Sequence, residues 1–215
     1  MLRVFCGVIL LLGTVGMLFH SQLIPTGRIR AGMFAFYTNQ SNLVVLLYQL
    51  LLLIATFFPG SPYFRIITPP ELFFSVMLCI FVTHLIYHFV LAPQAMRSGK
   101  GFEDGKIGFG NLCVHYLVPW LTVLEWCVCA DKTQLSMRCV YWWLLVPTAY
   151  LTYVLLRART GSPIGHTRLL YPYPFMDLQK LGTKKFWRNI AGLILFFFSL
   201  GSLMLGVGKL LLLVQ

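Results

Sequence analysis

The sequence is poor in charged residues. Only 11% of its 215 residues are Asp, Glu, Lys or Arg, and 58% are hydrophobic, whereas about a quarter of the residues in a typical soluble domain are charged. So few charges cannot cover a surface that faces water, which excludes an ordinary soluble globular domain. The apolar residues also occur in long runs rather than in periodic stripes, which indicates that lipid surrounds the folded chain.

Acidic residues are especially scarce, because 6 Asp and Glu stand against 17 Lys and Arg and give a formal net charge of +11. In a soluble protein this balance would suggest nucleic acid as the partner. Here the basic residues lie between apolar runs, and no basic stretch outside those runs is interleaved with base-stacking aromatics. Membrane topology and anionic lipid headgroups explain the charge better, so we predict no nucleic-acid partner.

The sequence also lacks the patterns of a disulfide framework, a nucleotide cofactor and a cleaved leader. Most of the six cysteines lie inside apolar runs, and Cys127 and Cys129 form a lone C-x-C with no second pair, so we interpret the cysteines as small apolar residues. No Gly-rich nucleotide motif is present, and we predict no cofactor. The first apolar stretch follows Arg3 without an A-x-A-like cleavage site, which favours a retained helix.

Six apolar stretches approach the roughly 20 residues that a helix needs to cross a bilayer. We predict an all-α fold, a polytopic membrane bundle of six transmembrane helices in a single integral membrane domain over 1–215. The helices are predicted at about 3–21, 36–58, 71–92, 112–130, 138–157 and 189–212. The long connection at about 158–188 contains Y-P-Y-P-F-M-D-L, whose prolines disfavour a helix and whose tyrosines favour the membrane interface.

The positions of Lys and Arg predict the orientation. Twelve of the 17 lie in the first, third and fifth connections, which we therefore predict to be cytosolic, with both termini outside.

Polar residues inside the predicted helices are concentrated at one membrane side. Helix two opens with F-Y-T-N-Q-S-N, helix three closes with V-T-H-L-I-Y-H, and helix four opens with N-L-C-V-H-Y. These three helix ends and the Pro-Tyr-rich linker all lie on the side of the odd connections. Because polar groups are costly in a membrane, such a concentration is a candidate functional site.

A hydroxyl next to an imidazole is the simplest activated nucleophile. Thr38 and His115 each lie about three residues into a helix, roughly 5 Å deep at 1.5 Å per residue. We predict Thr38 as the nucleophile and His115 as the general base and acid. Pro119 cannot donate to the carbonyl of His115, so that carbonyl is predicted to be free.

Other residues are assigned supporting roles. Asn111 would orient the imidazole or donate to an oxyanion, with Asn39 and Asn42 as alternative donors, and Asp177 would hold the imidazole tautomer. Further pocket candidates are Tyr37, Gln49, His84, Tyr87, His88 and Trp126, and the candidates for binding a lipid headgroup are Arg28, Arg30 and Lys106.

Each of these residues also has a purely structural interpretation. A membrane threonine such as Thr38 commonly bonds its own helix. Asn42 and Gln49 can join helices, and Glu125 can be an interhelical hydrogen-bond partner.

His84 and His88 are spaced like two metal ligands, with His115 as the third, although we assign no metal.

Four segments carry a resemblance to a known family: F-Y-T-N-Q-S-N-L, V-T-H-L-I-Y-H, N-L-C-V-H-Y-L-V-P-W-L-T-V-L-E-W and Y-P-Y-P-F-M-D-L. In this order they resemble the bacterial six-helix membrane proteins of the androgen-induced-protein superfamily, which includes the androgen-dependent regulators of tissue factor pathway inhibitor. Animal members are intramembrane hydrolases of fatty acid esters of hydroxy fatty acids that use a threonine and a histidine.

The resemblance implies that Thr38 is the nucleophile, His115 the base and Gln49 a further family-type residue, in a multi-pass protein of the bacterial cytoplasmic membrane. The leading hypothesis is therefore a hydrolase of a lipid ester that enters laterally from the bilayer. The alternatives are a non-enzymatic lipid-binding or transport protein and a metal-dependent membrane enzyme with a histidine cluster. The transporter is less favoured because paired broken helices are not evident.

Overall fold

The computed structural model describes residues 1–97 and 108–214 of the chain, and within these ranges it contains helices and no strand. Six helices are long and apolar enough to cross a membrane. The predicted all-α bundle is confirmed, and this composition indicates an integral membrane protein. The helices are α1 (Leu2–His20), α2 (Tyr37–Ala55), α3 (Pro70–Arg97), α4 (Phe109–Cys129), α5 (Met137–Arg159) and α6 (Leu178–Val214).

The predicted helix bounds hold to within a few residues except at two places. Helix α3 continues to Arg97, and α6 begins at Leu178 rather than at 189. The chain between Leu178 and 189 is rich in Lys but still helical, with a break at Gly182, whose φ of 71° lies in the left-handed region that glycine adopts readily. The linker therefore spans only 160–177.

Helices α1 to α4 form a ring in which each helix packs on the next and α4 closes onto α1. Helix α5 packs on α3, and α6 packs on α5. Large side chains such as Phe74, Trp126 and Trp143 are fully buried in the main apolar core. A second, smaller core joins α5 and α6 to the linker.

Close contact between α1 and α4 depends on glycine. A Cβ added at Gly16 would collide with the Cβ of Cys113, and one added at Gly110 would lie 2.6 Å from the amide nitrogen of His20. Only a residue without a side chain fits at these two positions. The C-terminal end of α1 is thereby held against the N-terminal end of α4.

Two helices widen into a π-helical turn near this membrane side. The turns are Tyr87–Leu91 in α3 and Cys113–Leu117 in α4, and each precedes a proline, Pro93 or Pro119. Proline has no N–H to donate to the carbonyl four residues earlier. The carbonyl of His115 has a partner on another helix, because the imidazole of His84 approaches it, with 2.9 Å between Nδ1 and the oxygen.

Candidate functional site

A polar cavity of about 250 Å³ lies where α1 ends and where α2 and α4 begin. The linker crosses it at 172–174. Its polar lining side chains are His20, Arg30, Thr38, Asn39, Asn111, His115 and Tyr173, and Tyr87 adds an aromatic wall. The helix ends predicted to meet at one membrane side therefore share one cavity.

The imidazole of His115 is held by aromatic rings. The ring of Tyr87 stacks on it, with centroids 3.6 Å apart and 11° between the planes, and the ring of His20 meets it edge-on at 5.9 Å. His115 is 4% exposed, and within the described ranges its Nδ1 has no hydrogen-bond partner. A buried imidazole nitrogen without a partner is uncommon in folded proteins and is often found at functional sites.

Thr38 lies in the first turn of α2 and is 7% exposed. Its carbonyl accepts hydrogen bonds from Ser41 Oγ at 3.0 Å and from Asn42 Nδ2 at 2.8 Å. Asn42 Nδ2 also donates to the carbonyl of Val114 at 3.1 Å. Asn42 therefore connects the backbone at Thr38 to the residue next to His115, and it is not a donor aimed into the cavity.

An apolar cavity of about 200 Å³ adjoins the polar one and lies between α3, α5 and α6. Its lining includes Val82, Ile86, Leu151, Leu193, Ile194 and Phe197. Thr38, Leu91 and Tyr173 line both cavities. The Thr38 side chain therefore stands at the boundary between an apolar compartment and the polar compartment that contains His115.

The phenol of Tyr173 lies next to Thr38. Its oxygen accepts a hydrogen bond from the amide of Tyr37 at 3.0 Å, and Tyr173 lines both cavities together with Thr38. Burial raises the pKa of Tyr173, although the hydrogen bonds from Thr38 and Tyr37 act in the opposite direction. Among the described residues, no hydrogen bond joins the Thr38 hydroxyl to His115.

Some of the other predicted residues also line the polar cavity. Asn111 hydrogen-bonds the imidazole of His20. Asn39 donates from Nδ2 to the carbonyl of Met33 at 2.7 Å, so it has no N–H directed at an oxyanion, and its buried Oδ1 has no partner. Arg30 lines the cavity.

One of the predicted headgroup ligands is not at the cavity. Arg28 is exposed and outside its lining. Lys106 falls outside the described residues. Among the described residues, Arg30 is the predicted headgroup ligand that lines the cavity.

Several candidates belong to other parts of the bundle. Tyr37 lines the apolar cavity, whereas Gln49 is fully buried inside the ring and donates from Nε2 to Glu125 Oε2. Trp126 is a core residue that meets Phe74 at 5.8 Å. The interhelical role expected for Glu125 is confirmed, and Gln49 and Trp126 line neither cavity.

Asp177 does not approach His115 in the way a triad member would. Its Oδ1 accepts a hydrogen bond from the amide of Lys180 at 3.1 Å, and its Oδ2 lies 3.6 Å from the ammonium of the same residue. The carboxylate is used to cap the start of α6.

The two histidines of α3, His84 and His88, contact α4. His84 is bound to the carbonyl of His115, and His88 Nδ1 lies 3.1 Å from the hydroxyl of Tyr116. Because a carbonyl only accepts hydrogen bonds, Nδ1 of His84 carries the proton. In residues 1–97 and 108–214, no three His, Cys, Asp or Glu side chains are grouped so that they could hold a metal ion.

Sequence reasoning missed His20, Tyr150 and Tyr173. His20 ends α1 on the side of the odd connections, so the helix-end argument that selected His115 would also have selected it. Tyr173 lies in the Pro-rich linker that was expected at the interface, but its contact with Thr38 depends on the path of the linker, which no local pattern specifies.

No protein-family model matches this chain, and no curated protein or solved structure matches it either.

Proposed function

We propose that this protein is an intramembrane hydrolase of a lipid ester, with Thr38 as the nucleophile and His115 as the general base. The observation that carries the proposal is the position of Thr38, which lines both the apolar and the polar cavity. A lipid ester has a matching shape, because its ester carbonyl joins an apolar acyl chain to a polar part. The family resemblance of the sequence supports the same chemistry and suggests the bacterial cytoplasmic membrane as its location.

In the proposed reaction the acyl chain enters laterally from the bilayer into the apolar cavity. His115 takes the Thr38 proton, directly or through one water, and Thr38 Oγ bonds to the ester carbonyl carbon. The tetrahedral intermediate collapses as the bond to the alkoxide breaks, and the alkoxide takes the proton from the imidazolium. A water molecule then hydrolyses the acyl-threonine by the same proton transfers, which releases the fatty acid and restores Thr38.

The other side chains of the polar cavity fit the polar part of such a substrate. Arg30 presents a guanidinium, which binds carboxylate or phosphate oxygens. Asn111 is bonded to His20 rather than to His115, so its proposed role is to hold the second imidazole of the cavity. This reaction needs no cofactor.

Labelling with a fluorophosphonate and turnover of a long-chain fluorogenic ester test the proposal on protein purified in detergent. Thr38→Ala and His115→Ala should each lose about 10²-fold or more of both signals. The matched controls are Thr152→Val, which removes an exposed hydroxyl bonded to the carbonyl of Thr148 on its own helix, and His166→Ala in the exposed linker. Mass spectrometry should place the adduct on Thr38, and equal labelling of wild type and Thr38→Ala would refute the proposal.

A non-enzymatic lipid-binding protein is the second candidate. It is favoured by one observation, that the Thr38 hydroxyl and His115 are not hydrogen-bonded to each other in the described part of the chain. A wild-type protein that binds a fluorescent fatty acid but shows neither turnover nor labelling would establish this alternative.

A further inference from the structure

Tyr173 is held more rigidly than an ordinary linker residue. It is 7% exposed and stands between Pro172 and Pro174, which restrict the backbone on both sides. The ring of Phe175 stacks on it at 5.2 Å, and the ring of Phe36 meets it edge-on at 5.9 Å. Its hydroxyl therefore has a defined position beside Thr38.

Three phenols surround the start of α2, and two of them have their hydroxyls committed elsewhere. The Tyr150 hydroxyl donates to the carbonyl of Ala35 at 2.9 Å. The Tyr37 hydroxyl pairs with the thiol of Cys79 at 3.1 Å. The single proton of Tyr150 is used at Ala35 and the Tyr37 hydroxyl is already paired, whereas in the described part of the chain the Tyr173 oxygen accepts a hydrogen bond and its own proton is not donated.

The oxygen of Tyr173 is also oriented for donation. It already accepts the amide N–H of Tyr37 at 3.0 Å, which fixes the phenol relative to the first turn of α2. The Thr38 hydroxyl is a neighbouring acceptor for the proton of this phenol, because Thr38 follows Tyr37 in the chain and lines the same two cavities as Tyr173.

We infer that Tyr173 is a third catalytic residue, whose phenol donates a hydrogen bond to the reacting oxygen atoms at Thr38. The inference rests on the proposed function. Negative charge develops on Thr38 Oγ as its proton leaves and then on the former carbonyl oxygen of the tetrahedral intermediate. A fixed neutral donor in a site shielded from water stabilises such charge. The phenol keeps its proton throughout, so the balance of the reaction is unchanged.

The phenol is in the right protonation state for this role. Burial raises the pKa of Tyr173 above its ordinary value, so the phenol is neutral at physiological pH. It becomes unable to donate only as the pH rises through this raised pKa.

The first experiment compares Tyr173→Phe with Tyr153→Phe in the ester assay. Tyr153 is a matched control because its phenol on α5 is 38% exposed and lines neither cavity. Tyr173→Phe should lower kcat by about 10²-fold, as for loss of one oxyanion donor, with KM changed less than a few-fold. A merely structural role would instead raise KM or lower the melting temperature at an unchanged kcat.

A second variant tests the donor itself. Difluorotyrosine at position 173 has a more acidic phenol of nearly the same shape, so the loss of kcat at alkaline pH should move to lower pH. The other titratable or charged groups that line the two cavities in the described residues are the same in both proteins: Tyr37, Tyr87, Tyr150, His20, His115 and Arg30. An alkaline limb that does not move would overturn the inference.

Thr38→Ala measured in parallel separates the two claims. If Thr38→Ala is inactive and Tyr173→Phe has the wild-type kcat, the inference about Tyr173 is wrong and the proposed hydrolase stands. If Thr38→Ala turns over the ester like wild type, the proposed function itself fails.

Discussion

Replacing either member of the Gln49–Glu125 pair should destabilise the protein, and replacing both together should restore most of the lost stability. Both side chains are 0% exposed inside the ring of α1 to α4. Gln49 Nε2 donates to Glu125 Oε2, and the thiol of Cys6 lies 3.5 Å from Glu125 Oε1. This small polar cluster joins three helices within an otherwise apolar core.

The size of the destabilisation follows from the buried polar groups that each substitution leaves without a hydrogen-bond partner. Glu125→Leu leaves the amide N–H₂ of Gln49 buried without an acceptor, which costs about 1–3 kcal/mol. Gln49→Leu leaves the carboxyl with the weak thiol donor alone, at a similar or larger cost. In the double variant both polar groups are gone and leucine fills similar volumes, so the net change should be close to zero.

Thermal unfolding of the purified protein in detergent, followed by tryptophan fluorescence at a fixed scan rate, measures this cycle. At the middle of that range, about 2 kcal/mol, and with about 2–4 °C per kcal/mol for a chain of this length, each single variant should melt about 4–8 °C below wild type. The double variant should melt within about 3 °C of wild type. A double variant that melts lower by the sum of the two single shifts would show that the pair is not coupled.

Three other changes follow from the packing. Gly110→Ala forces a methyl group against the backbone of α1 and should lower the melting temperature by about 2–8 °C, whereas Gly7→Ala, with no atom within 4 Å of the added Cβ, should not. Pro119→Ala supplies an N–H that competes with His84 for the freed carbonyl in α4, so fluorophosphonate labelling should fall with no loss of melting temperature; unchanged labelling would refute this. A cysteine introduced in the 160–177 linker should not react with a membrane-impermeant maleimide added outside cells, because the linker is predicted to be cytosolic. Rapid modification would show that the predicted orientation is wrong.

The six helices could be predicted because lipid imposes a simple rule, that a spanning segment must be apolar throughout. The one large error in the predicted helix bounds, at the start of α6, lies in a segment to which this rule does not apply. Residues 178–188 lie before the apolar run and carry Lys180, Lys184, Lys185 and Arg188, so they resemble a linker by composition although they form a helix. Hydropathy alone does not distinguish an amphipathic helix near a membrane surface from a polar linker.

The candidate site was predictable to the extent that connectivity determines it. Consecutive spans alternate in direction, so Thr38 and His115 had to share a membrane side, and the structure gives them one cavity. The partners of each side chain were not predictable, because they depend on distances across the bundle. Asp177 caps a helix instead of supporting His115, and Tyr173 reaches Thr38 from a residue far away in sequence.

The two π-helical turns, Tyr87–Leu91 and Cys113–Leu117, lie beside the cavity. A π turn is equivalent to one residue inserted into an α-helix. Deleting one residue from the turn of α4 would restore a regular α-helix, still long enough to cross the bilayer, with its two flanking halves close to their present phase. The extra residue therefore acts on the turn itself, where it sets the directions of the side chains between Cys113 and Leu117. A deletion there would redirect the imidazole of His115 while the rest of the span stayed in place.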